Sequence, residues 1–138
     1  MLKIVELDHI VLNVADIDRS LDFYNGLLGL EVERLDEYRA GSVRFPSVRI
    51  NADTIIDLFH EAPGAEGAPK NLNHYCIITE PTDLDALADE LEGAGVTIVQ
   101  RPASRWGAHG RGLSFYLLDP DANQIEIRCY PDAGPTTG

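Results

Sequence analysis

Leu113-Ser114-Phe115-Tyr116-Leu117-Leu118-Asp119-Pro120-Asp121-Ala122-Asn123-Gln124-Ile125-Glu126-Ile127-Arg128 is the stretch whose reading decides the fold. Leu113 to Leu118 reads as a strand, and Asp119 to Asn123 supplies the residue types that favour a tight turn. Gln124 to Tyr130 reads as a second strand, with Ile125 and Ile127 on one face and Glu126 on the other. A carboxylate between two isoleucines points into a cleft or barrel, and a buried charge is costly without a partner. The loop before this hairpin, 101–112, is broken by Gly107, Gly110 and Gly112 and carries His109.

Working outward, the same order of elements occurs twice. Val5 to Val14 is a strand with Leu7, His9, Val11 and Asn13 on one face. A helix starts at Asp16-Ile17-Asp18, its acidic residues at the positive end, and Gly29 stops it. Strands follow at Glu31–Arg34, Arg39–Phe45, Val48–Asn51 after the break at Pro46, and Thr54–Phe59. Residues 61–73 hold Pro63, Gly64, Gly67 and Pro69, a linker by composition. The pattern then restarts with a strand at His74–Thr79, a helix at Asp83–Glu92, a stop at Gly93-Ala94-Gly95 and a strand at Val96–Gln100. His9 stands 20 residues before Gly29 and His74 stands 21 before Gly95. Ile56-Asp57-Leu58 mirrors Ile125-Glu126-Ile127. The expectation is an α+β chain of 138 residues in one domain, with module one at about 5–62, module two at about 74–130 and a frayed tail at 131–138.

Packing of the halves about a pseudo-twofold axis would set His9 opposite His74 and Asp57 opposite Glu126. Two imidazoles and one or two carboxylates form an oxygen/nitrogen site suited to a divalent first-row metal. Two His and one carboxylate leave positions open for substrate, whereas Asp57 as a fourth ligand would suit Lewis-acid chemistry. With 11 basic and 23 acidic residues the net charge is −12, which argues against nucleic acid and anionic membranes as partners. No apolar run approaches the length of about 20 residues that spans a bilayer. Cys76 and Cys129 lie in strand-like runs with no secretory signal before them, so the expectation is reduced thiols in a cytoplasmic protein.

Leu7-Asp8-His9-Ile10-Val11-Leu12-Asn13-Val14, then Phe23-Tyr24 and Leu28-Gly29-Leu30, resemble the opening of the vicinal oxygen chelate superfamily, and the resemblance extends over about residues 5–130. That superfamily includes glyoxalase I, methylmalonyl-CoA epimerase, fosfomycin-resistance enzymes, bleomycin-binding proteins and extradiol dioxygenases. The resemblance implies two βαβββ modules forming a cupped, mostly antiparallel sheet around a metal held by His9, His74 and Glu126. Asp57 falls where glyoxalase-like members carry a fourth ligand, Glu or Gln, but is one methylene shorter, about 1.5 Å. It is therefore expected to stay off the metal and to hydrogen-bond through water or a neighbouring donor.

His109, Phe115-Tyr116, Asp119-Pro120 and Glu126 match the extradiol motif, in which the His and Tyr contact bound catecholate or oxygen; Ala122 departs from its Gly or Pro. On that match the chain is expected to be an Fe(II)-dependent dioxygenase of a small catecholic substrate, with Mn(II), Zn(II) or Ni(II) as alternatives. His109 and Tyr116 would be catalytic, with the loop 101–112 bordering the cleft and His109 facing it. His60 is a further catalytic candidate, and Arg105 and Trp106 could stack on or clamp an anionic substrate. The alternatives are a glyoxalase- or epimerase-like enzyme using the metal as Lewis acid, and a metal-free, bleomycin-resistance-like binding protein. A homodimer is implied by the family.

Overall fold

A computed structural model describes residues 2–61, 71–118 and 122–131. The chain divides into two compact units, His9–Asn73 and Met1–Asp8 together with His74–Gly138. The division falls inside the first strand, β1 (Ile4–Val14), between Asp8 and His9.

In the His9–Asn73 unit, α1 (Ile17–Leu21) begins where the Asp16 carboxylate accepts the Arg19 N–H at 3.1 Å. The helix then widens into a π-helical segment, Asp22–Leu27, whose Leu28 N–H reaches the Phe23 carbonyl at 3.0 Å, and Gly29 ends it at φ +77°. The strands β2 (Glu31–Glu33), β3 (Ser47–Arg49) and β4 (Ile55–His60) follow. β2 and β3 pair antiparallel, as do β3 and β4, while β4 runs parallel to the His9–Val14 part of β1. Ile17 and Leu21 bury against Val48 and Leu58.

The expected strand Arg39–Phe45 is absent. Its place is taken by a short helix, α2 (Leu35–Arg39), and turns. Val43 and Phe45 suggest a strand, but Leu35 and Tyr38, three apart, both pack on the core and hold one helical turn there. Asp36 and Glu37 at its start and Arg39 at its end complement the helix dipole, and Gly41 at φ +81° closes it. β3 correspondingly starts at Ser47, immediately after Pro46.

In the other unit, β5 (Leu72–Thr79) precedes α3 (Leu84–Gly93), capped by the Asp83 carboxylate on the Ala86 N–H at 3.1 Å. β6 (Ile98–Gly107), β7 (Gly110–Leu118) and β8 (Gln124–Cys129) complete it. β5 runs parallel to β8, and β8–β7 and β7–β6 are antiparallel. Leu84 and Ala88 pack on Phe115, Leu117, Ile127 and Cys129, with Ile125 at the edge of that core. The odd positions of β8 therefore enter the core, as alternation requires, and Glu126 and Arg128 occupy its other face.

Residues 101–107 are strand rather than loop. β6 pairs with β7 as far as Gly107 opposite Gly110, through register shifts between Ile98 and Ala103. Such shifts let Pro102, which lacks a backbone N–H, sit in the strand. Both cysteines are buried thiols. Among the described residues no helix is long and apolar enough to cross a membrane. The linker assigned to 61–73 lies outside the described residues at 62–70, as do the turn residues 119–121 and the tail at 132–138.

Candidate metal centre

Each unit holds one buried imidazole–carboxylate pair. In the His9–Asn73 unit, β1 and β4 set His9 near Asp57, with Nε2 and Oδ2 3.8 Å apart and both side chains buried. Ser47 faces Asp57 across β3 and β4, and its hydroxyl donates to Oδ1 at 2.5 Å. His60 is exposed at the end of β4, three residues beyond Asp57, and alternation turns it to the opposite face.

In the His74-containing unit, His74 Nε2 lies 3.1 Å from Oε1 of Glu126, which is 1% exposed. Tyr116 is opposite Glu126 in the β7–β8 ladder, and its ring meets the His74 imidazole edge to face at 5.1 Å. Burial and then the nearby Glu126 charge push the Tyr116 hydroxyl above its ordinary range, so it stays protonated at neutral pH. A half-buried, protonated phenol thus stands beside the His–Glu pair.

The second oxygen of Glu126 belongs to Arg128. Nη2 of this fully buried guanidinium donates to Oε2 at 2.7 Å and to the Trp106 carbonyl at 2.7 Å. Nη1 reaches the Tyr130 hydroxyl oxygen at 3.2 Å and the Arg105 carbonyl at 3.3 Å. Desolvation is the largest influence and works against the Arg128 charge, but Glu126, Cys76, Tyr130 and Asp8 together outweigh it and the guanidinium stays ionised. Tyr130 donates to Asp8 Oδ1 at 2.5 Å, and Asp8 Oδ2 accepts the Ala108 N–H at 2.9 Å. Glycine is required next to this cluster: a Cβ on Gly107 would collide with the Arg128 guanidinium and the Tyr130 hydroxyl.

His109 sits at the tip of the β6–β7 hairpin, 38% exposed, with Nε2 3.5 Å from the Glu6 carboxylate and its ring edge to face with Tyr130 at 5.3 Å. The contacts described for the His109 side chain are with Glu6 and Tyr130. The Arg105 guanidinium is held by the Ser114 carbonyl and, at 2.7 Å, by the Gln100 amide oxygen, and lies over the Tyr116 ring at 4.7 Å. Arg105 and Trp106 reach the pair through their backbone carbonyls on Arg128. Sequence reading passed over Arg128, Asp8, Tyr130 and Ser47. Arg128 was findable: it shares the Glu126 face of β8 by the same alternation that separated Glu126 from the isoleucines.

Each unit supplies an imidazole nitrogen and a carboxylate oxygen, donor types that divalent first-row ions take. The fold and these pairs define the class: the chain belongs to the Glyoxalase/Bleomycin resistance protein/Dioxygenase superfamily, whose profile matches residues 6–127. It has the mostly antiparallel α+β fold of the vicinal oxygen chelate proteins. Its relatives include virulence protein STM3117 of Salmonella typhimurium, 33% identical over 90% of this chain and 83% of that one. Glutathione transferase FosA of Serratia marcescens is 29% identical over 88% of this chain and 78% of its own. The Mn(II)-bound glyoxalase from Novosphingobium aromaticivorans shares the fold at 18% identity with a TM-score of 0.67, covering 98% of this chain and 44% of that one.

Proposed function

We propose that this protein is a divalent-metal enzyme in which His9, His74 and Glu126 hold the ion, and that it acts on a small substrate presenting two neighbouring oxygens. The observation that carries the reading is the buried Glu126, with one oxygen fixed by Arg128 and the other beside the His74 nitrogen. The equivalence of His9 to His74 in the repeated sequence supplies the third ligand. A bound ion would polarise a substrate oxygen as a Lewis acid. Tyr116 would donate a hydrogen bond to that oxygen as charge builds on it. Asp57, engaged by Ser47, would stay beside the site rather than in the ligand set.

Fe(II) and Mn(II) both suit this set, and Mn(II) is the ion of the Novosphingobium glyoxalase. Lewis-acid chemistry is favoured over extradiol ring cleavage because a His109 that contacts bound catecholate must face the ion, and the contacts described for it are with Glu6 and Tyr130. The likeness to a glutathione transferase adds glutathione to the co-substrates worth trying. The test is metal-reconstituted protein assayed on a hemithioacetal, fosfomycin with a thiol, and catechols. Turnover of one of the first two that chelator abolishes is expected. Catechol ring cleavage, or turnover indifferent to chelator, would overturn the reading.

A further inference from the structure

We propose that Arg128 is the positioning residue of the metal centre, turning Glu126 so that a single oxygen, Oε1, is presented as ligand. The inference rests on the metal reading above and deepens it. A carboxylate free to rotate can offer a metal one oxygen or two, and those alternatives set how many positions remain for substrate. Here the choice is made before any ion arrives. Arg128 Nη2 takes Oε2 at 2.7 Å, leaving Oε1 beside His74 Nε2.

The guanidinium can impose that orientation because it is itself held from two sides. The Trp106 and Arg105 carbonyls on β6 accept from it, and the Tyr130 hydroxyl oxygen accepts from Nη1. Tyr130 is fixed in turn by Asp8 and by the His109 N–H at 3.1 Å. Arg128 is also wholly enclosed, so water cannot replace it at Oε2. Gly107 and Gly112 make room for the assembly: a Cβ on Gly112 would stand 2.9 Å from the Cys129 carbonyl and 3.0 Å from the Tyr130 ring. Two glycines flanking the hairpin tip thus serve a buried cation that no local strand requirement demands. Groups that orient a ligand from behind typically change metal affinity about 10–100-fold when removed.

The experiment measures Mn(II) binding by loss of the free-ion paramagnetic resonance signal, in wild-type protein and in Arg128→Lys, Arg128→Met and Gly107→Ala. All are measured well below each variant's own unfolding temperature. Wild type should bind stoichiometrically. Arg128→Met should weaken binding by about 10–100-fold. Arg128→Lys, which keeps the charge without the two-pronged geometry, should fall between. Gly107→Ala leaves Glu126 and the charge intact but displaces the guanidinium, and should weaken binding in the same sense. A merely structural Arg128 would lower the unfolding temperature and leave the affinity of the folded protein unchanged. Unchanged affinity in Gly107→Ala and in whichever Arg128 variant folds overturns the proposal. Absence of Mn(II) uptake by wild type would instead overturn the metal reading on which it rests.

Discussion

The two imidazole–carboxylate pairs occupy matching positions in the two halves of the sequence, yet they are built differently. His9 and Asp57 stand 3.8 Å apart and a neutral hydroxyl, Ser47, satisfies the carboxylate. His74 and Glu126 are at 3.1 Å and a buried cation satisfies the carboxylate. One methylene and one partner account for the contrast. The shorter Asp57 ends near its own sheet neighbour across β3, whereas Glu126 reaches past Arg128 to the imidazole. On the proposed reading, one module's carboxylate is a ligand and the other module's carboxylate stays beside the site.

The largest expected effect lies in the network around Glu126. Arg128→Met removes the partner of buried carboxylates and should cost about 3–5 kcal/mol of stability, measured by chemical denaturation of the metal-free protein. A loss under about 1 kcal/mol would mean that the two pairs are alike in kind. Ser47→Ala is the matching change at Asp57 and should cost about 1–3 kcal/mol, the loss expected when a buried acceptor is left unsatisfied. If Ser47→Ala proves the costlier, the assignment of strong and weak partners is reversed.

Alkali should also separate the regions. Tyr116 and Tyr130 both have hydroxyl pKa values raised by burial, and in Tyr130 the hydrogen bond to Asp8 adds to the rise against the opposing Arg128 charge. The folded state keeps these protons after the unfolded chain releases them. Their contribution to stability is therefore complete below about pH 10 and is lost progressively above it. Phenolate absorbance and circular dichroism followed together should show these two tyrosines ionising only as structure is lost. Ionisation ahead of any structural change would contradict their burial.

The smallest effect concerns the residues immediately preceding β4 and β8. Before β4, the Asn51 side chain accepts the Asp53 and Thr54 N–H groups at 2.9 and 3.0 Å, a turn its sequence suits. Before β8, Ala122 holds φ +64°, a conformation that a Cβ penalises. Ala122→Gly should raise stability by up to about 1 kcal/mol in thermal unfolding, offset in part by glycine's greater freedom in the unfolded chain. A lower melting temperature would show that the strain is absent.

Much of this was legible in the sequence because it depends on local periodicity. Alternation through Ile125-Glu126-Ile127 separated the core face from the other, and Asp16, Asp83, Gly29 and Gly95 marked the helix ends. The illegible parts depend on partners far along the chain. Leu35 and Tyr38 become helical because a core receives them, and Arg105 and Trp106 become strand because β7 pairs with them. His109 lies one residue from the backbone group that Asp8 anchors, a contact spanning 100 positions that no spacing rule exposes. The same holds for Ser47, which lies between the break at Pro46 and the strand expected from Val48.

The most direct test of unequal roles for the two carboxylates is elemental analysis of Asp57→Asn and Glu126→Gln after metal loading and dialysis. Asp57→Asn should keep close to the wild-type metal content and Glu126→Gln should lose most of it. Equal loss in both variants would contradict the account and make Asp57 a ligand.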